Sequence, residues 1–467
     1  MSKKHIPFYI FTLAIFLGII SPFWLADGMF TDGTTYATVA NNLANDIGGI
    51  WDMFFTETLY PHFHEHPPLA MALQSIFFRI FGDSIYIERL YSVGTFAITA
   101  FIINKIWKLI APQEHKQLAW LPLLFTTLFP LITWSATNNM LENTMMIFTL
   151  LATLFIIKST ESHRIINMKL AGFMLALAVL SKGLVALYPL SFLFWILIFK
   201  RNISIKQFFT DTLILTIGLV VPFILLFLFV PESYDSLMAY FNKQIVGSIQ
   251  NVQTVDSRFW IIGKLLSEHI TIGVIILLIY IFTRKLKIEK SNNGWAYTIL
   301  ALALSGVLPI MISMKQSGFY ILSTFPLFAI GLSLLIAPRV LLLTNKIDIK
   351  SKGFKIFRTV SYSLLATSIL LVGLQIGKYG RDKDRLEDIY SIIEVVPKGS
   401  TISIANYIFE EWSIHAYFYR YANISLETKM PYEHQFILFR TNSKNEIPNN
   451  YIIQDIGLKE FILLKKK

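Results

Sequence analysis

The chain has no cysteine among its 467 residues, which excludes disulfide bonds, thiolate metal ligands and cysteine nucleophiles. Charged residues are also scarce, since Asp, Glu, Lys and Arg account for 15% of the chain, against about 25% in soluble proteins. No glycine-rich phosphate-binding loop is present, so a nucleotide substrate has no support in the sequence. These absences argue against a thiol-dependent enzyme, a nucleotide-dependent enzyme and a soluble protein.

Apolar residues dominate instead: 54% of the chain is hydrophobic and 15% is aromatic, and the mean hydropathy is +0.55. This composition predicts an integral membrane protein. The formal net charge is +11. In a membrane protein such an excess collects in cytoplasmic loops. No basic face with interleaved exposed aromatic residues is evident, so we expect no nucleic-acid partner.

Eleven apolar segments approach the length of about 20 residues that a membrane span needs. They cover residues 6–25, 86–107, 118–136, 140–157, 168–182, 184–200, 207–230, 262–283, 295–313, 318–338 and 356–378. The first segment lacks a small-residue cleavage site, so we interpret it as a retained helix and not a signal peptide. The fifth and sixth are short and nearly continuous, so they could also form one helix.

The charges between the spans predict their orientation. With the N-terminus in the cytoplasm, the loops on that side carry far more Lys and Arg than the short loops opposite, as the positive-inside rule requires. We therefore expect a multi-pass protein of the plasma (inner) membrane, with a transmembrane domain over 1–378. The loop 26–85 and the tail 379–467 then lie outside. Alternating apolar residues and turn residues predict a small α/β domain in the tail.

The loop 26–85 contains two candidate interfacial helices. Apolar residues at helical spacing from Thr35 onward predict an amphipathic helix on the membrane surface. Asp32 precedes its first turn, where the helix dipole stabilises a carboxylate, so a capping role and a chemical role are both open. The second helix, 67–81, is too short to span and begins with Pro67 and Pro68.

The segment 62–69 reads HFHEHPPL and is rich in titratable side chains. Helix N-termini attract anions, and histidine can donate to a phosphate, more strongly when it is protonated. An extended backbone would place His62, His64 and His66 on one face and Glu65 on the other. Phosphate binding, a His/Glu metal site and solvated loop histidines all remain open.

Further charged and phenolic side chains lie at the expected outer ends of the spans or in the outer loops. Carboxylates there are costly and usually functional, and a carboxylate can deprotonate a hydroxyl. Cations at this depth suit a lipid phosphate, although a lysine there can also be a snorkelling residue. These residues are Glu142, Lys182, Lys243, Arg258, Lys315 and Tyr320.

Five motifs, taken in order, resemble the polyprenyl-phosphate-dependent glycosyltransferases of the GT-C superfamily. The nearest branches are the aminoarabinose lipid A transferases and the protein O-mannosyltransferases of glycosyltransferase family 39. The motifs are TDGTTYATVANNL, HEHPPLAMALQSIFFRIFG, MLENTMMIF, LAVLSKGLVALYPL and MKQSGFYILSTFPLFAIGLS. The resemblance covers roughly residues 1–335. It implies a polytopic α-helical GT-C fold of about 11 transmembrane helices, with a small extracytoplasmic C-terminal domain.

The resemblance implies roles for individual residues. Asp32 matches the family's catalytic aspartate, which is the proposed base for the acceptor. Glu65 matches a glutamate that can bind a metal ion in the aminoarabinose branch, and His64 is a second candidate ligand. Two positions depart from that branch: Thr35 replaces a phosphate-binding arginine, and His66 replaces a lysine. Further candidate site-lining residues are Asp27, Tyr36, Glu142, Lys182 and Tyr320.

The implied reaction is sugar transfer from a polyprenyl-phosphate-linked donor to a hydroxyl of a lipid A, protein or glycan acceptor outside the membrane. Asp32 as the only base fits inversion at the sugar carbon, whereas retention needs a second carboxylate, for which Asp27 is near in sequence. No cofactor is clearly required, although a divalent metal is possible. Fixed cations would stabilise the leaving phosphate. The candidates are His66, Lys182, Lys243, Arg258 and Lys315.

Two other functions remain as alternatives. A transporter or lipid flippase would typically carry ionisable residues near mid-membrane and broken helices in repeated halves, whereas here the charges lie at span ends. A structural membrane subunit of a polysaccharide assembly complex would not need Asp32. Membrane lipids surround the chain in every case. No motif falls in the tail, so we expect the tail to be dispensable for donor binding.

Overall fold

A computed structural model describes residues 3–247, 253–287, 293–442 and 448–467. The helices before residue 380 are α1 Ile6–Ile20, α2 Thr31–Ala44, α3 Leu69–Phe81, α4 Ile87–Ile110, α5 Trp120–Thr127, α6 Pro130–Thr137, α7 Leu141–Ser159, α8 Arg164–Lys182, α9 Phe192–Trp195, α10 Ile205–Phe229, α11 Glu232–Tyr240, α12 Trp260–Thr283, α13 Gly294–Val307, α14 Phe325–Asn345 and α15 Lys352–Gly373. Short 3₁₀ or π segments cover Gln113–Leu118, Leu184–Ser191, Ile196–Lys200, Phe241–Val246, Leu308–Ile312 and Gly318–Thr324.

Within the described ranges, eight helical segments are long and apolar enough to cross a membrane, or nine if α5 and α6 count as one bent span. The predicted polytopic helical fold is confirmed, but the number of eleven spans is not. The expected spans 6–25 and 184–200 form shorter apolar helices, Ile6–Ile20 and Leu184–Lys200. Helix α3 lies where the second interfacial helix is predicted.

The bend of 76° between α5 and α6 has a local cause. Pro130 opens α6, and Phe129 before it is extended, as the residue preceding proline prefers. The break leaves N–H groups of α6 without partners inside the helix. Glu268 of α12, only 2% exposed, accepts one of them from Leu131 at 2.9 Å. A buried carboxylate thus stabilises the broken helix.

The spans differ in how far the rest of the chain covers them. Helix α7 is mostly buried and lies at the centre of the helical domain, whereas α10 and α12 are largely uncovered and present apolar side chains outward. Glycines allow close approach between α8 and α10, because a Cβ at Gly172 would overlap the carbonyl oxygen of Leu215. Small residues at such contacts are typical of membrane helix pairs.

The predicted small α/β domain in the tail is present. Its helices are α16 Lys383–Val395, α17 Asn406–Phe409 and α18 Trp412–Ala422, and its strands are β1 Thr401–Ile404, β2 Ser425–Glu427, β3 Phe436–Arg440, β4 Tyr451–Gln454 and β5 Phe461–Lys466. The strand order is β2-β1-β3-β5-β4. Strand β1 runs parallel to β2 and β3, whereas β5 runs antiparallel to β3 and β4. Mixed sheets of this kind are common in α/β domains.

Candidate active site

A cavity of about 690 Å³ lies where the loop 26–85, the ends of several spans and the C-terminal domain meet. We call it the central cavity. Its polar lining residues are Asp32, Thr35, Tyr36, Glu65, His66, Lys182, Tyr188, Tyr240, Gln244, Ser305, Ser313, Lys315 and Tyr320. Its apolar lining residues include Phe63, Leu184, Val185, Leu187, Pro309, Ile310, Ile312, Phe319 and Trp412. The cavity therefore combines a long apolar wall with a cluster of titratable groups.

Helix α2 brings Asp32 and Tyr36 to the cavity one helical turn apart. The helix begins at Thr31, and Phe30 occupies the N-cap position, so Asp32 lies in the first turn and does not cap the helix. The Phe30 N–H donates to Asn138 Oδ1 at 2.8 Å, and Gly33 lies so close that a Cβ would overlap the Asn138 carbonyl. These contacts fix the start of α2 against the end of α6.

The predicted helix is present, but protein covers it, which the amphipathic pattern does not predict. Every residue of α2 from Gly33 to Leu43 is buried. Helix α18 covers one side, with Ala416 in the same apolar cluster as Tyr36, Ala37 and Ala40. The amphipathic pattern was interpreted as a helix between lipid and water, but a second protein layer lies on it.

Tyr36 connects the polar groups of the cavity. Its hydroxyl lies 2.9 Å from His66 Nε2 and accepts a hydrogen bond from Lys182 Nζ at 3.4 Å. Lys182 in turn forms an ion pair with Glu142 at 3.1 Å. Glu142 is fully buried in the first turn of α7, so it supports Lys182 from behind the cavity wall and does not line it.

The turn after α8 explains the Ser181-Lys182-Gly183 motif. Gly183 has φ +92°, a backbone conformation that favours glycine and commonly ends a helix. Tyr240 packs against Gly183, where a Cβ would overlap its hydroxyl, and that hydroxyl donates to the Lys182 carbonyl at 3.2 Å. The glycine thus lets Tyr240 complete the wall beside Lys182.

The site makes Asp32 more basic. Burial raises the pKa of the Asp32 carboxyl, while the charge of Lys182 opposes the shift. A hydrogen bond with Tyr36 and the charge of Lys315 also oppose it. Burial also disfavours the charged form of Lys315 and so lowers its pKa, whereas the charge of Glu65 raises it. Asp32 is therefore a carboxylate that binds a proton more readily than one in water.

The surroundings of His66 favour its neutral form. Burial lowers the pKa of His66 well below 6.5, and the charges of Lys182 and Lys315 lower it further. The expectation of a cationic histidine assumed an interfacial loop, whereas two lysines already supply positive charge next to it. His66 can offer a hydrogen bond to a phosphate but not a permanent charge.

The arrangement of Glu65 and His64 does not suit a metal ion. Glu65 lines the cavity, but Lys243 and Gln244 engage its carboxylate, and Lys315 donates to Gln244 Oε1 at 3.1 Å. His64 faces away, with Nδ1 3.1 Å from Ser236 Oγ. Among the described residues, no group of three or more His, Asp or Glu side chains could hold a metal. We derive no step through a metal.

Only His66 of the three histidines lines the central cavity. His62 pairs with Asp52 at 2.8 Å and its side chain is 71% exposed. His64 Nε2 lies 3.7 Å from the same carboxylate. The three histidines therefore do not share the face that an extended backbone would give them, and His66 is the one that reaches Tyr36.

Three further candidates lie outside the cavity lining. Lys243 forms an ion pair with Glu65, and its Nζ lies over the Tyr60 ring, 4.1 Å from the ring centroid. Arg258 donates to the backbone carbonyls of Met311 and Ile312. Asp27 accepts hydrogen bonds from two tyrosines of the C-terminal domain and serves as an anchor. Each of these three side chains thus has a polar partner in the protein.

The structure also adds residues that the sequence did not single out. Gln244 bridges Glu65 and Lys315, but it lies in the π segment Phe241–Val246, where the sequence has no motif. Phe319, next to Tyr320, lines the cavity and lies beside Trp134, with ring centroids 6.2 Å apart. Trp412 comes from the tail, where no pattern pointed to a site. The FY pair at 319–320 was the only sequence signal available.

Comparisons with known proteins agree with this architecture. A family model described as dolichyl-phosphate-mannose-protein mannosyltransferase matches residues 65–227. A comparison with curated proteins finds no match. The crystal structure of ArnT from Cupriavidus metallidurans in the apo state is similar with a TM-score of 0.65 and 11% identity, covering 97% of this chain and 96% of that chain.

Two further structures share the fold. ArnT from Cupriavidus metallidurans bound to undecaprenyl phosphate gives a TM-score of 0.63 at 11% identity, covering 98% of this chain and 97% of that one. The oligosaccharyltransferase AglB from Archaeoglobus fulgidus, in complex with an inhibitory peptide and a dolichol-phosphate, gives a TM-score of 0.52 at 12% identity. The match covers 94% of this chain and 69% of that chain. The chain therefore shares its fold with ArnT and AglB, and its residues 65–227 are similar to the dolichyl-phosphate-mannose-protein mannosyltransferase family.

Proposed function

We propose that this chain transfers a sugar from a polyprenyl-phosphate-linked donor to a hydroxyl-bearing acceptor on the extracytoplasmic side of the plasma membrane. The observation that carries the proposal is the central cavity, where Asp32, Tyr36, His66, Lys182 and Lys315 converge at one end of an apolar wall. A prenyl chain fits such a wall, and its phosphate fits the cationic end. The structure of ArnT contains bound undecaprenyl phosphate, and that of AglB is a complex with a dolichol-phosphate.

The donor phosphate is assigned to Lys182 and Lys315, which line the same cavity. Lys182 is held by Glu142 and by the end of α8, so its position does not depend on the ligand. A fixed cation stabilises the charge that develops on the leaving phosphate without reorganisation. His66 adds a neutral hydrogen bond. Lys243 and Arg258 lie outside the lining and have no direct contact with the phosphate in this assignment.

Asp32 is assigned as the base. The acceptor oxygen forms a bond to the anomeric carbon of the sugar, and the bond from that carbon to the phosphate oxygen breaks. The acceptor proton moves to Asp32, and the phosphate leaves with the bonding electron pair. The raised pKa of Asp32 brings it closer to neutral pH, which favours a general base.

Inversion is favoured over retention. Retention needs a carboxylate nucleophile on the opposite side of the sugar carbon from the base. Asp27 accepts hydrogen bonds from Tyr390 and Tyr421. Glu142 forms an ion pair with Lys182. Glu65 forms an ion pair with Lys243 and a hydrogen bond with Gln244. Asp32 remains as the cavity carboxylate without an ion pair in the described part of the chain. Nothing in the comparisons supports the transporter alternative.

The Asp32→Asn variant tests the proposal. Asn keeps the size and the hydrogen-bonding oxygen but cannot take the proton, so transfer should fall by about 100- to 10,000-fold. Transfer is measured as release of lipid phosphate from the sugar-linked donor. Asp46→Asn is the matched control, because Asp46 lies in the same loop but its side chain is 86% exposed. Near-normal transfer by Asp32→Asn would reject Asp32 as the base.

A further inference from the structure

Trp412 is the residue of the C-terminal domain that lines the central cavity, as far as the described residues go. We propose that Trp412 contacts the sugar of the donor, so that the C-terminal domain supplies part of the sugar-binding site. This inference rests on the proposed function and deepens it. It also reverses the expectation that the tail is dispensable for donor binding.

Trp412 is held at a fixed position relative to Asp32. It opens α18, which packs along α2, the helix that carries Asp32 and Tyr36. Ala416, one turn after Trp412, is fully buried against α2, and its carbonyl accepts a hydrogen bond from Thr38 at 3.4 Å. Trp412 and the base therefore belong to one packed unit.

Ion pairs anchor the same helix farther along. Arg420 of α18 is 3% exposed. Its guanidinium pairs with Glu88 at 3.2 Å and with Asp83, and both carboxylates precede or open the span α4. A buried pair of this kind is costly to break, because removing one partner leaves an unpaired charge.

Tyrosines fix the domain on its other side. Asp27 accepts hydrogen bonds from Tyr390 at 2.5 Å and Tyr421 at 2.7 Å. The Tyr417 hydroxyl accepts from the Met29 N–H at 3.1 Å and lies 3.0 Å from the Met29 carbonyl. The segment just before α2 is thus tied to α16 and α18. These contacts keep Trp412 at the cavity whether or not a ligand is bound.

The surroundings of Trp412 suit a sugar and not a prenyl chain. Its ring lies beside Tyr60, with centroids 5.0 Å apart, and Lys243 connects Tyr60 to Glu65. The indole is only partly buried, so it keeps surface free toward the cavity. An aromatic face next to a few polar groups is typical of small-molecule sites.

The apolar wall is built by different residues. Leu184, Val185 and Leu187 follow Gly183 between two spans, and Pro309 and Ile310 follow α13. These residues belong to the membrane-spanning part of the chain, whereas Trp412 belongs to the C-terminal domain. The sugar end and the lipid end of the donor are therefore expected to respond to different substitutions.

Binding of two probes to the full-length protein in nanodiscs separates these ends. One probe is a polyprenyl phosphate, and the other is the same lipid phosphate carrying a hexose or a pentose. We expect the wild type to bind at least one sugar-linked lipid more tightly than the bare lipid phosphate. Trp412→Ala should weaken binding of that lipid by about tenfold, the equivalent of one lost aromatic contact, and leave the bare lipid phosphate unchanged.

Control variants separate binding from folding. Trp412→Phe keeps an aromatic ring and should retain most of the preference. Ile453→Ala lies in the same domain on β4, 52% exposed, and should behave as the wild type. If the wild type shows no preference for any sugar-linked lipid, or Trp412→Ala weakens both probes equally or neither, the inference is wrong. Failure of the wild type to bind either lipid would instead reject the proposed function.

Discussion

Tyr36 is the residue through which the charged groups of the central cavity influence one another. Its hydroxyl contacts His66 and Lys182, and it hydrogen-bonds Asp32. Burial raises the pKa of Tyr36 well above 10, and the charges of Asp32 and Glu142 raise it further. The phenol therefore stays protonated at every working pH and can always hydrogen-bond to a neighbour. A substitution at any one of these residues should change the pKa of Asp32.

His66 gives a prediction about stability. Its pKa is lowered in the folded state by burial and by Lys182 and Lys315, so the unfolded chain binds a proton more readily below pH 6.5. Stability should then fall as the pH drops from about 6.5 toward the folded pKa, by at most about 1.4 kcal/mol per pH unit for one group. Unfolding temperatures at pH 7.5 and 5.5 should show a smaller decrease for His66→Gln than for the wild type.

The matched control is His62→Gln, because the His62 side chain is 71% exposed and lies beside Asp52, away from the two lysines. Unfolding temperatures of His62→Gln at the same two pH values show how much of the effect comes from removing any histidine of this segment. A decrease for His66→Gln as large as that of the wild type would mean that folding does not lower the pKa of His66.

At the scale of single elements, the break between α8 and the segment that follows shapes the cavity. The helix ends at Lys182 because Gly183 adopts a positive φ, and the chain turns back as a 3₁₀ segment that supplies the apolar wall. A continuous helix over these residues, which the hydropathy alone allowed, would carry Lys182 and Leu184 to different faces. The turn therefore joins the phosphate end and the lipid end of the site.

Gly183→Ala should destabilise this element. The alanine would take an unfavourable φ and its Cβ would overlap the Tyr240 hydroxyl, at a cost of about 1–3 kcal/mol. We expect a lower unfolding temperature and weaker binding of polyprenyl phosphate, both measured in nanodiscs. Gly263→Ala is the control, since a Cβ there meets nothing within 4 Å. Equal unfolding temperatures for the two variants would contradict the proposed role of the turn.

At the scale of the whole molecule, local sequence patterns predicted the features that each segment carries by itself. Apolar runs and flanking charges located most spans, because hydropathy acts on each segment separately. The burial of α2 and the role of Asp27 were missed, since both depend on contacts with residues nearly 400 positions away, such as Tyr417 and Tyr421. The position of Trp412 was missed for the same reason. Packing between distant segments leaves no periodic signal in either segment.

The proposed orientation can be tested because the chain has no cysteine. A single introduced cysteine is then the only target of a membrane-impermeant maleimide. Met430→Cys in the C-terminal domain is 64% exposed and Ile349→Cys between α14 and α15 is 49% exposed. In intact cells, or spheroplasts where an outer membrane is present, we expect labelling at 430 only. After lysis both positions should react, and labelling at 349 alone in intact cells would reverse the topology.

The contact between α18 and α2 also has a consequence for the order of events during biosynthesis. Ribosomes make the chain from its N-terminus, so Asp32, Tyr36 and Lys182 are synthesised before Trp412. Until then α2 lacks the cover that Ala416 helps to provide. In the proposed orientation the tail must also cross the membrane and fold before the cavity is closed. If the proposed function is correct, a nascent chain thus holds its reactive carboxylate before the C-terminal domain covers the central cavity.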